Sequence, residues 1–400
     1  MADKKNKKNN KIEEIKIAAF GCWNTGCKEN SDQLKVTELL RKNENKYKFM
    51  IILGDNYYPE KIKIQKEITI DGIKLEEIKT VNIDSIIMQS GFKCIDNVNI
   101  QKKIIMGNHD IEDGINQGCS ILKYQLKLPW YDVKFPFSHE LHYIKKDDNY
   151  KILLILYIDT TLYTEKETIC YNSTLNKSQA DIKSEQNSFI ISTLSNFKDN
   201  INISEILICG HEPLITYRIK EDKIKSSIIT ELCDVIFKER IKYATKNFTY
   251  LCADYHIYQN SKITINDNPL SINQIILGTG GGKLDEELPK HISNAKDFGI
   301  YKLQIQPNMI NNKEDNTTFG IAKHGYGELI YNMDGLKHNF IPVESVESVE
   351  PVEPVESDEH VESVKPVESD EHVESVKPDE YKIKYLKYKN KYLKLKKLRY

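Results

Sequence analysis

The chain has 400 residues, of which 40% are hydrophobic, so it is long enough for one large domain or two ordinary ones. Its formal net charge of −2 points to no particular class of partner. The start of the chain lacks the apolar core of a signal peptide, and no stretch has the roughly 18 apolar residues that a membrane-spanning helix needs. We therefore expect a cytoplasmic protein that is not secreted, whose eight cysteines are reduced thiols.

The first residues are basic and predict a disordered arm over residues 1–14, whereas residues 15–340 have a globular pattern. Apolar residues at helical spacing predict helices over residues 178–197 and 225–240. Strands that alternate with helices favour an α/β or α+β layered sandwich. Short apolar runs typical of buried strands are Ile17–Phe20, Phe49–Leu53, Ile104–Met106, Ile152–Ile158, Ile206–Cys209, Tyr250–Cys252 and Ile275–Leu277.

The pattern changes after the globular region. Residues 341–379 are acidic and of low complexity, and the segment Val355–Pro366 recurs unchanged at Val367–Pro378. Such a composition cannot bury a core, so this segment is predicted to be an extended linker. Residues 380–400 are rich in lysine, and their tyrosines and leucines recur at spacings of three and four, which predicts a basic amphipathic helix.

The last segment resembles the C-terminal tail of many proteins from mimivirus-like giant viruses. This resemblance implies a viral protein, located in the host cytoplasm or the virion. The helix suits pairing with another helix in a coiled coil, which would give self-association or attachment to a protein partner. An anionic membrane surface and nucleic acid are the alternatives. Nucleic acid is the least favoured, because no groove-reading motif accompanies the charge.

Five of the predicted strands run directly into residue types that bind metals. Side chains that follow several strands of one sheet converge at its edge, and a preceding glycine permits the sharp turn that such a site needs. Oxygen ligands and imidazoles together suit a pair of divalent or trivalent metals. The five motifs are Gly21-Cys22-Trp23-Asn24, Gly54-Asp55-Asn56-Tyr57-Tyr58, Gly107-Asn108-His109-Asp110, Gly210-His211-Glu212-Pro213 and Ala253-Asp254-Tyr255-His256.

In this order, and followed by the glycine-rich segment Gly278–Gly282, the motifs resemble the calcineurin-like metallophosphoesterase superfamily. Within it, they are most similar to the small, tartrate-resistant type of purple acid phosphatase. The resemblance covers roughly residues 15–335. It implies a two-sheet β-sandwich flanked by helices. It also implies hydrolysis of phosphomonoesters by attack of a metal-bound hydroxide at a binuclear site.

The resemblance also implies a ligand set for two metal ions. Asp55 would bridge both ions. Tyr58 and His256 would bind the first ion, which is usually iron in that family. Asn108 and His211 would bind the second ion, which is zinc, manganese or iron. A phosphorylated substrate of unspecified identity is the expected partner of this site.

His109 would be the general acid that protonates the leaving group. Two other positions depart from the family pattern. Cys22 stands where the family has an aspartate ligand of the first metal, and Asp254 stands where the second metal has a histidine ligand. Both still donate to metals, and the thiolate suits zinc. A catalytically impaired binding module, or a phosphodiesterase or nucleotide hydrolase, therefore stays open beside the phosphatase, because one fold hosts all these functions.

Overall fold

The computed structural model describes one unit, whose residues all lie between positions 14 and 344. Residues 1–13 and 345–400, which include almost all of the predicted linker and the whole predicted C-terminal helix, lie outside the described residues. The description comprises residues 14–24, 26–27, 29–58, 67–70, 73–76, 91–111, 119–128, 131–164, 168–220, 223–265, 268–288, 293–310, 313–315 and 319–344.

Two eight-stranded sheets make up most of the unit. From edge to edge, the first contains β18 (Lys313–Asp315), β17 (Asn308–Ile310), β20 (Gly335–Pro342), β19 (Gly325–Asn332), β1 (Ile15–Phe20), β2 (Phe49–Leu53), β5 (Gln101–Ile105) and β6 (Tyr131–Val133). The second contains β15 (Ala295–Phe298), β16 (Tyr301–Ile305), β13 (Tyr258–Ile265), β14 (Ser271–Leu277), β12 (Asn247–Cys252), β9 (Ile203–Cys209), β8 (Asn149–Tyr157) and β7 (Ser138–Lys146). Two separate hairpins pair β3 (Glu67–Ile70) with β4 (Ile73–Glu76), and β10 (Ile215–Lys220) with β11 (Lys223–Ile228).

Each sheet has a parallel centre and antiparallel flanks. In the first sheet β1, β2, β5 and β6 run parallel, and in the second β8, β9, β12 and β14 do so. Parallel strands buried on both faces read as continuous apolar runs, which is why all seven strands that the sequence predicted fall on strands of the structure. Only Met106 and Ile158, at the ends of two runs, lie just beyond their strands.

The two sheets pack face to face, with helices on their outer faces. Alternate residues of β1 divide between two cores, since Ile17 lies in the core between the sheets and Phe20 in the core under the outer helices. Leu207 and Leu251 of the second sheet belong to the same central core as Ile17. The predicted fold class, a layered α/β sandwich flanked by helices, is confirmed.

The described helices are α1 (Asp32–Asn43), α2 (Lys93–Asp96), α3 (Asn108–Ile111), α4 (Ser120–Gln125), α5 (Cys170–Leu175), α6 (Gln179–Asn196) and α7 (Thr230–Lys242). The side chain of Ser178 caps α6 by accepting from the backbone N–H of Asp181, and Ile190 and Leu194 pack on the second sheet. This agrees with the helix predicted over residues 178–197. None of the described helices is long and apolar enough to cross a bilayer.

The helix predicted over residues 225–240 begins five residues too early. Residues 225–228 belong to β11, which pairs with β10 in a hairpin, and the helix starts at Thr230. Ile228 and Ile229 pack against the same core as Leu232. The apolar spacing therefore continues through the junction of strand and helix, so periodicity alone does not reveal the boundary.

Four of the cysteines form two disulfides. Cys27 is bonded to Cys94, and Cys119 to Cys170, whereas Cys22, Cys209, Cys233 and Cys252 are buried free thiols. The expectation of eight reduced thiols is therefore wrong. The bonded partners are 67 and 51 residues apart, so the pairing cannot be predicted from a local cysteine spacing. Disulfides persist mainly in oxidising compartments, which removes the support that the cysteines gave to a cytoplasmic location.

Candidate metal centre

The five motifs lie where parallel strands of the two sheets end. Cys22 follows β1, Asp55 follows β2, and Asn108 opens α3 after β5. His211 follows β9, and the segment that begins at Asp254 follows β12. β1, β2 and β5 are parallel neighbours in one sheet, and β9 and β12 in the other, so their carboxyl ends meet along one side of the sandwich.

Three of the candidate ligands share an uncommon backbone conformation. The φ angles of Cys22, Asp55 and Asp254 are 51°, 53° and 52°. These values lie in the left-handed region, which costs a non-glycine residue on the order of 1–3 kcal/mol and is concentrated at functional sites. Each of these residues follows its strand by two positions, so the same sharp turn brings three donor groups back towards one point.

Asp55 is the middle of the cluster. Its Oδ1 lies 3.2 Å from His211 Nε2, and its Oδ2 lies 3.8 Å from Cys22 Sγ. His211 Nε2 is also 3.1 Å from Asn108 Oδ1 and 3.9 Å from Asp254 Oδ1. Donor atoms of Cys22, Asp55 and His211 all lie within 4.8 Å of one another, a spacing that one metal ion can bridge.

A second group of donors lies on the Cys22 side of Asp55. Tyr58 Oη is 3.1 Å from His256 Nε2, and burial, reinforced by the nearby Cys22 and Asp55, raises the pKa of the Tyr58 phenol well above its usual range. The backbone N–H of His109 donates to Asp55 Oδ1 at 3.3 Å, and its ring lies 4.9 Å from the ring of Tyr58 between centroids. All eight site residues named from the sequence are therefore brought together here.

The glycines of the motifs leave room for this packing. A Cβ atom on Gly107 would collide with the backbone nitrogen and side chain of Asp55. A Cβ atom on Gly54 would lie 2.6 Å from His211 Nδ1. The Nδ1–H group of His211 donates to the carbonyl of Leu53 at 2.6 Å, which leaves Nε2 directed at Asp55.

Burial and mutual charge set the protonation of the cluster. Burial, reinforced by the charges of Asp55 and Asp254, raises the pKa of the Cys22 thiol well above its usual range. Burial also acts to raise the pKa of Asp55, but His211 outweighs it and lowers that pKa to about 2. Conversely, burial acts to lower the pKa of His211, and Asp55 raises it to about 10. Without metal, His211 is thus an imidazolium paired with Asp55, and a metal ion must displace protons from both His211 and Cys22.

Asn56 and Asp110 lie inside the motifs and support the ligand turns through hydrogen bonds, a role that the sequence did not reveal. Asn56 accepts from Trp23 Nε1 at 3.1 Å and from Asn24 Nδ2 through its carbonyl at 2.6 Å. Its own backbone N–H and side-chain amide donate to Asp110 Oδ2 at 3.1 and 3.0 Å, and Asp110 also accepts from Gly107 N at 2.8 Å. Three of the ligand turns are thereby joined. The sign of this role in the sequence was the position of Asn56 and Asp110 within the motifs.

Comparisons with known proteins were made at the level of sequence and of structure. No family model matches the chain, and no curated protein matches it significantly. Among solved structures, GAP50, described as the anchor in the inner membrane complex of Plasmodium, is similar with a TM-score of 0.49 and 13% identity, over 84% of this chain and 87% of that one. A purple acid phosphatase from seeds of yellow lupin (Lupinus luteus) has a TM-score of 0.44 and 12% identity, over 83% of this chain and 54% of that one. PhoD has a TM-score of 0.42 and 10% identity, over 80% and 64%.

Proposed function

We propose that this chain is a metal-dependent phosphoesterase of the calcineurin-like type that hydrolyses phosphomonoesters. The observation that supports this most is the convergence of donor side chains from five strand ends on a single buried carboxylate, Asp55. A buried cluster of this composition, with its unusual backbone angles, is typical of a metal centre rather than of a packed core.

The donor types fit two ions that share Asp55. The first set combines a thiol, a phenol and an imidazole with Asp55, and the second combines an amide oxygen, an imidazole and a carboxylate with it. Iron suits the phenol of the first set, whereas the thiol favours zinc there, and zinc, manganese or iron suits the second set. The first set is Cys22, Asp55, Tyr58 and His256, and the second is Asp55, Asn108, His211 and Asp254.

Two bound ions would supply a nucleophilic water and offset the charge on the phosphoryl oxygens. The protein supplies orientation and a proton. His109 is tied to Asp55 through its backbone N–H, and its ring packs on Tyr58, which is a candidate first-metal ligand. Its imidazole therefore lies beside the centre without being one of its donors, where it can deliver a proton to the departing oxygen.

The test is hydrolysis by the purified full chain reconstituted with iron, zinc or manganese. We expect turnover of an aryl phosphate monoester that depends on added metal, with the corresponding diester cleaved more slowly. Faster cleavage of the diester would replace the proposal with a phosphodiesterase. Bound metal without turnover of either ester would leave a binding module, and absence of bound metal would reject the proposal entirely.

A further inference from the structure

We infer that Arg218 and Asp285 are positioning residues that fix the imidazole of His256 with Nε2 directed at the metal centre. This inference rests on the proposed function, because it concerns one of the proposed ligands of the first ion. Neither residue belongs to a ligand motif. Arg218 lies on β10, in the hairpin after the His211 motif, and Asp285 lies between β14 and β15.

The segment before β15 holds His256 at three points. The backbone N–H of Asp285 donates to the carbonyl of His256 at 2.9 Å, and Asp285 Oδ2 accepts from the backbone N–H of His256 at 3.2 Å. The carbonyl of Lys283 lies 2.5 Å from His256 Nδ1. A Cβ atom on Gly282 would lie 2.7 Å from the Cε1 atom of the same ring. The imidazole is thus held against backbone that only glycine permits.

The contact with Lys283 determines which nitrogen faces the centre. A carbonyl oxygen only accepts hydrogen bonds, so Nδ1 of His256 carries the proton. In the neutral imidazole, Nε2 then has the free lone pair, and it lies 3.1 Å from Tyr58 Oη among the first set of donors. A metal-binding histidine whose other nitrogen donates to a carbonyl is the usual arrangement in protein metal sites.

Arg218 holds this segment in place from the hairpin. Its Nη1 lies 2.7 Å from Asp285 Oδ2, the same oxygen that accepts from His256. Its guanidinium also lies 3.4 Å above the centroid of the Tyr255 ring, so it contacts the residue before His256 as well. The side chains of Arg218 and Asp285 are only 14% and 11% exposed, which shields the ion pair from solvent. Arg218 therefore contacts both the segment that carries Asp285 and the segment that carries His256. It holds the two in the relative position that directs the imidazole at the centre.

Cobalt(II) titration of the metal-free full chain tests the inference. A thiolate-to-cobalt charge-transfer band from Cys22 reports occupancy of the first site. We expect Asp285→Asn and Arg218→Gln to raise the Kd for the ion that gives this band about 10- to 100-fold. Arg218→Lys retains the charge but loses the planar fork, so it should restore part of the affinity. Nitrogen NMR of the His256 ring, assigned with His256→Gln, should show a single Nδ1–H tautomer in the wild type and a mixture in Asp285→Asn.

Arg240→Gln is the matched control. Arg240 is also largely buried, its guanidinium lies 5.2 Å from the Phe248 ring centroid, and it donates to the carbonyls of Ser271 and Tyr243, outside the candidate centre. Equal Kd values for wild type and the Asp285 variant, or an equal loss in the Arg240 variant, would overturn the inference. A wild type that binds no cobalt ion at all would instead reject the proposed function. The tautomer of the metal-free protein would then decide the inference alone, and an unchanged tautomer in Asp285→Asn would overturn it.

Discussion

Cys22 and Asp254 are the two proposed donors that depart from the ligand pattern of the family that the motifs resemble. Both adopt the left-handed backbone conformation of Asp55, and both lie next to donors of the set to which they are assigned. A thiolate forms longer bonds to metals than a carboxylate, and aspartate is shorter than histidine. In the proposed centre, these two residues would therefore change the size of each metal site while they preserve its ability to donate.

Restoring the family pattern tests how these two residues set the activity. We expect Cys22→Asp combined with Asp254→His to raise monoester turnover in the presence of iron. Because the two sites share Asp55, the effects of the single changes should not add up. Steady-state kinetics and metal analysis of both single variants and the double variant measure this. A double variant that loses both metal and rate would show that the natural ligands are adapted to another ion, with zinc the first candidate.

His338 gives a prediction about stability away from the centre. It lies on β20 opposite Leu329, and its Nε2 is buried without a hydrogen-bond partner among the described residues. Burial lowers the pKa of His338 to about 4. Between about pH 6.5 and 4, the unfolded chain therefore binds more protons than the folded chain. The stability that depends on a neutral His338 is complete above pH 6.5 and is lost as the pH falls through 4.

The unfolding free energy of the wild type should decrease as the pH falls through this window. We expect this decrease to be about 1–3 kcal/mol smaller in His338→Phe. Urea unfolding of both proteins at pH 7, 5.5 and 4 measures the difference. His139→Phe, at an exposed position on the edge strand β7, is the matched control for replacing a histidine with phenylalanine. Parallel pH profiles for wild type and His338→Phe would contradict the assigned burial effect.

Among the secondary-structure elements, the buried strands and the polar residues that follow them can be predicted from the sequence, because the apolar run that forms a strand also shows where the strand ends. A strand buried on both faces is a continuous apolar run, and its end is marked by the first polar residue. This is why Asp55, Asn108 and His211, which lie just after such runs, were candidate ligands from the sequence. Elements with exposed faces carry no such signal. The hairpin with Arg218 reads Ile-Thr-Tyr-Arg-Ile-Lys in β10 and Lys-Ile-Lys-Ser-Ser-Ile in β11, without a continuous apolar run, and its approach to Asp285 depends on contacts between distant segments.

The disulfides are the clearest example of a structural feature that the local sequence does not predict. Cys119 and Cys170 belong to the small core that packs beneath α3, and their bond joins α4 to α5. Nothing in a spacing of 51 residues distinguishes these two from the free thiols of the strands. Pairing depends on the distance between their Cα atoms, which is 5.2 Å and follows only from the fold.

Replacing Cys119 and Cys170 with serine should lower the free energy of unfolding by about 2–4 kcal/mol, because the bond closes a long loop in the unfolded chain. Denaturant unfolding of the double variant and of the wild type, without reductant, measures this. Cys209→Ser, at a buried free thiol, controls for the loss of a cysteine from the core. Equal stability of the double variant and the wild type would show that the native protein holds these thiols reduced.

At the scale of the molecule, the described unit ends close to where the acidic low-complexity segment begins. β20 ends at Pro342, and the backbone N–H of Val343 still donates to the carbonyl of His324. The linker over residues 341–379 and the helix over residues 380–400 remain predictions from sequence. Their compositions favour the hypothesis of an attachment device that folds independently of the unit within residues 14–344.

A chain that ends at Glu344 should keep its fold and its turnover, and it should lose self-association. Circular dichroism, monoester kinetics and light scattering of the two lengths measure these three properties. Replacing the leucines of residues 380–400 with serine in the full chain is the control, since it should remove self-association alone. A shortened chain that loses its fold or its rate would show that the tail packs on the catalytic unit.

The proposed role of Asp55 is to hold two metal ions together, which can be tested by counting the bound ions. Elemental analysis of the reconstituted full chain should give two ions per chain for the wild type and nearly none for Asp55→Asn. Asp147→Asn is the matched control, because Asp147 has the same φ of 53° as Asp55 but lies exposed in the turn between β7 and β8, and it should keep both ions. A wild type without metal, or an Asp55→Asn variant that retains two ions, would contradict the account.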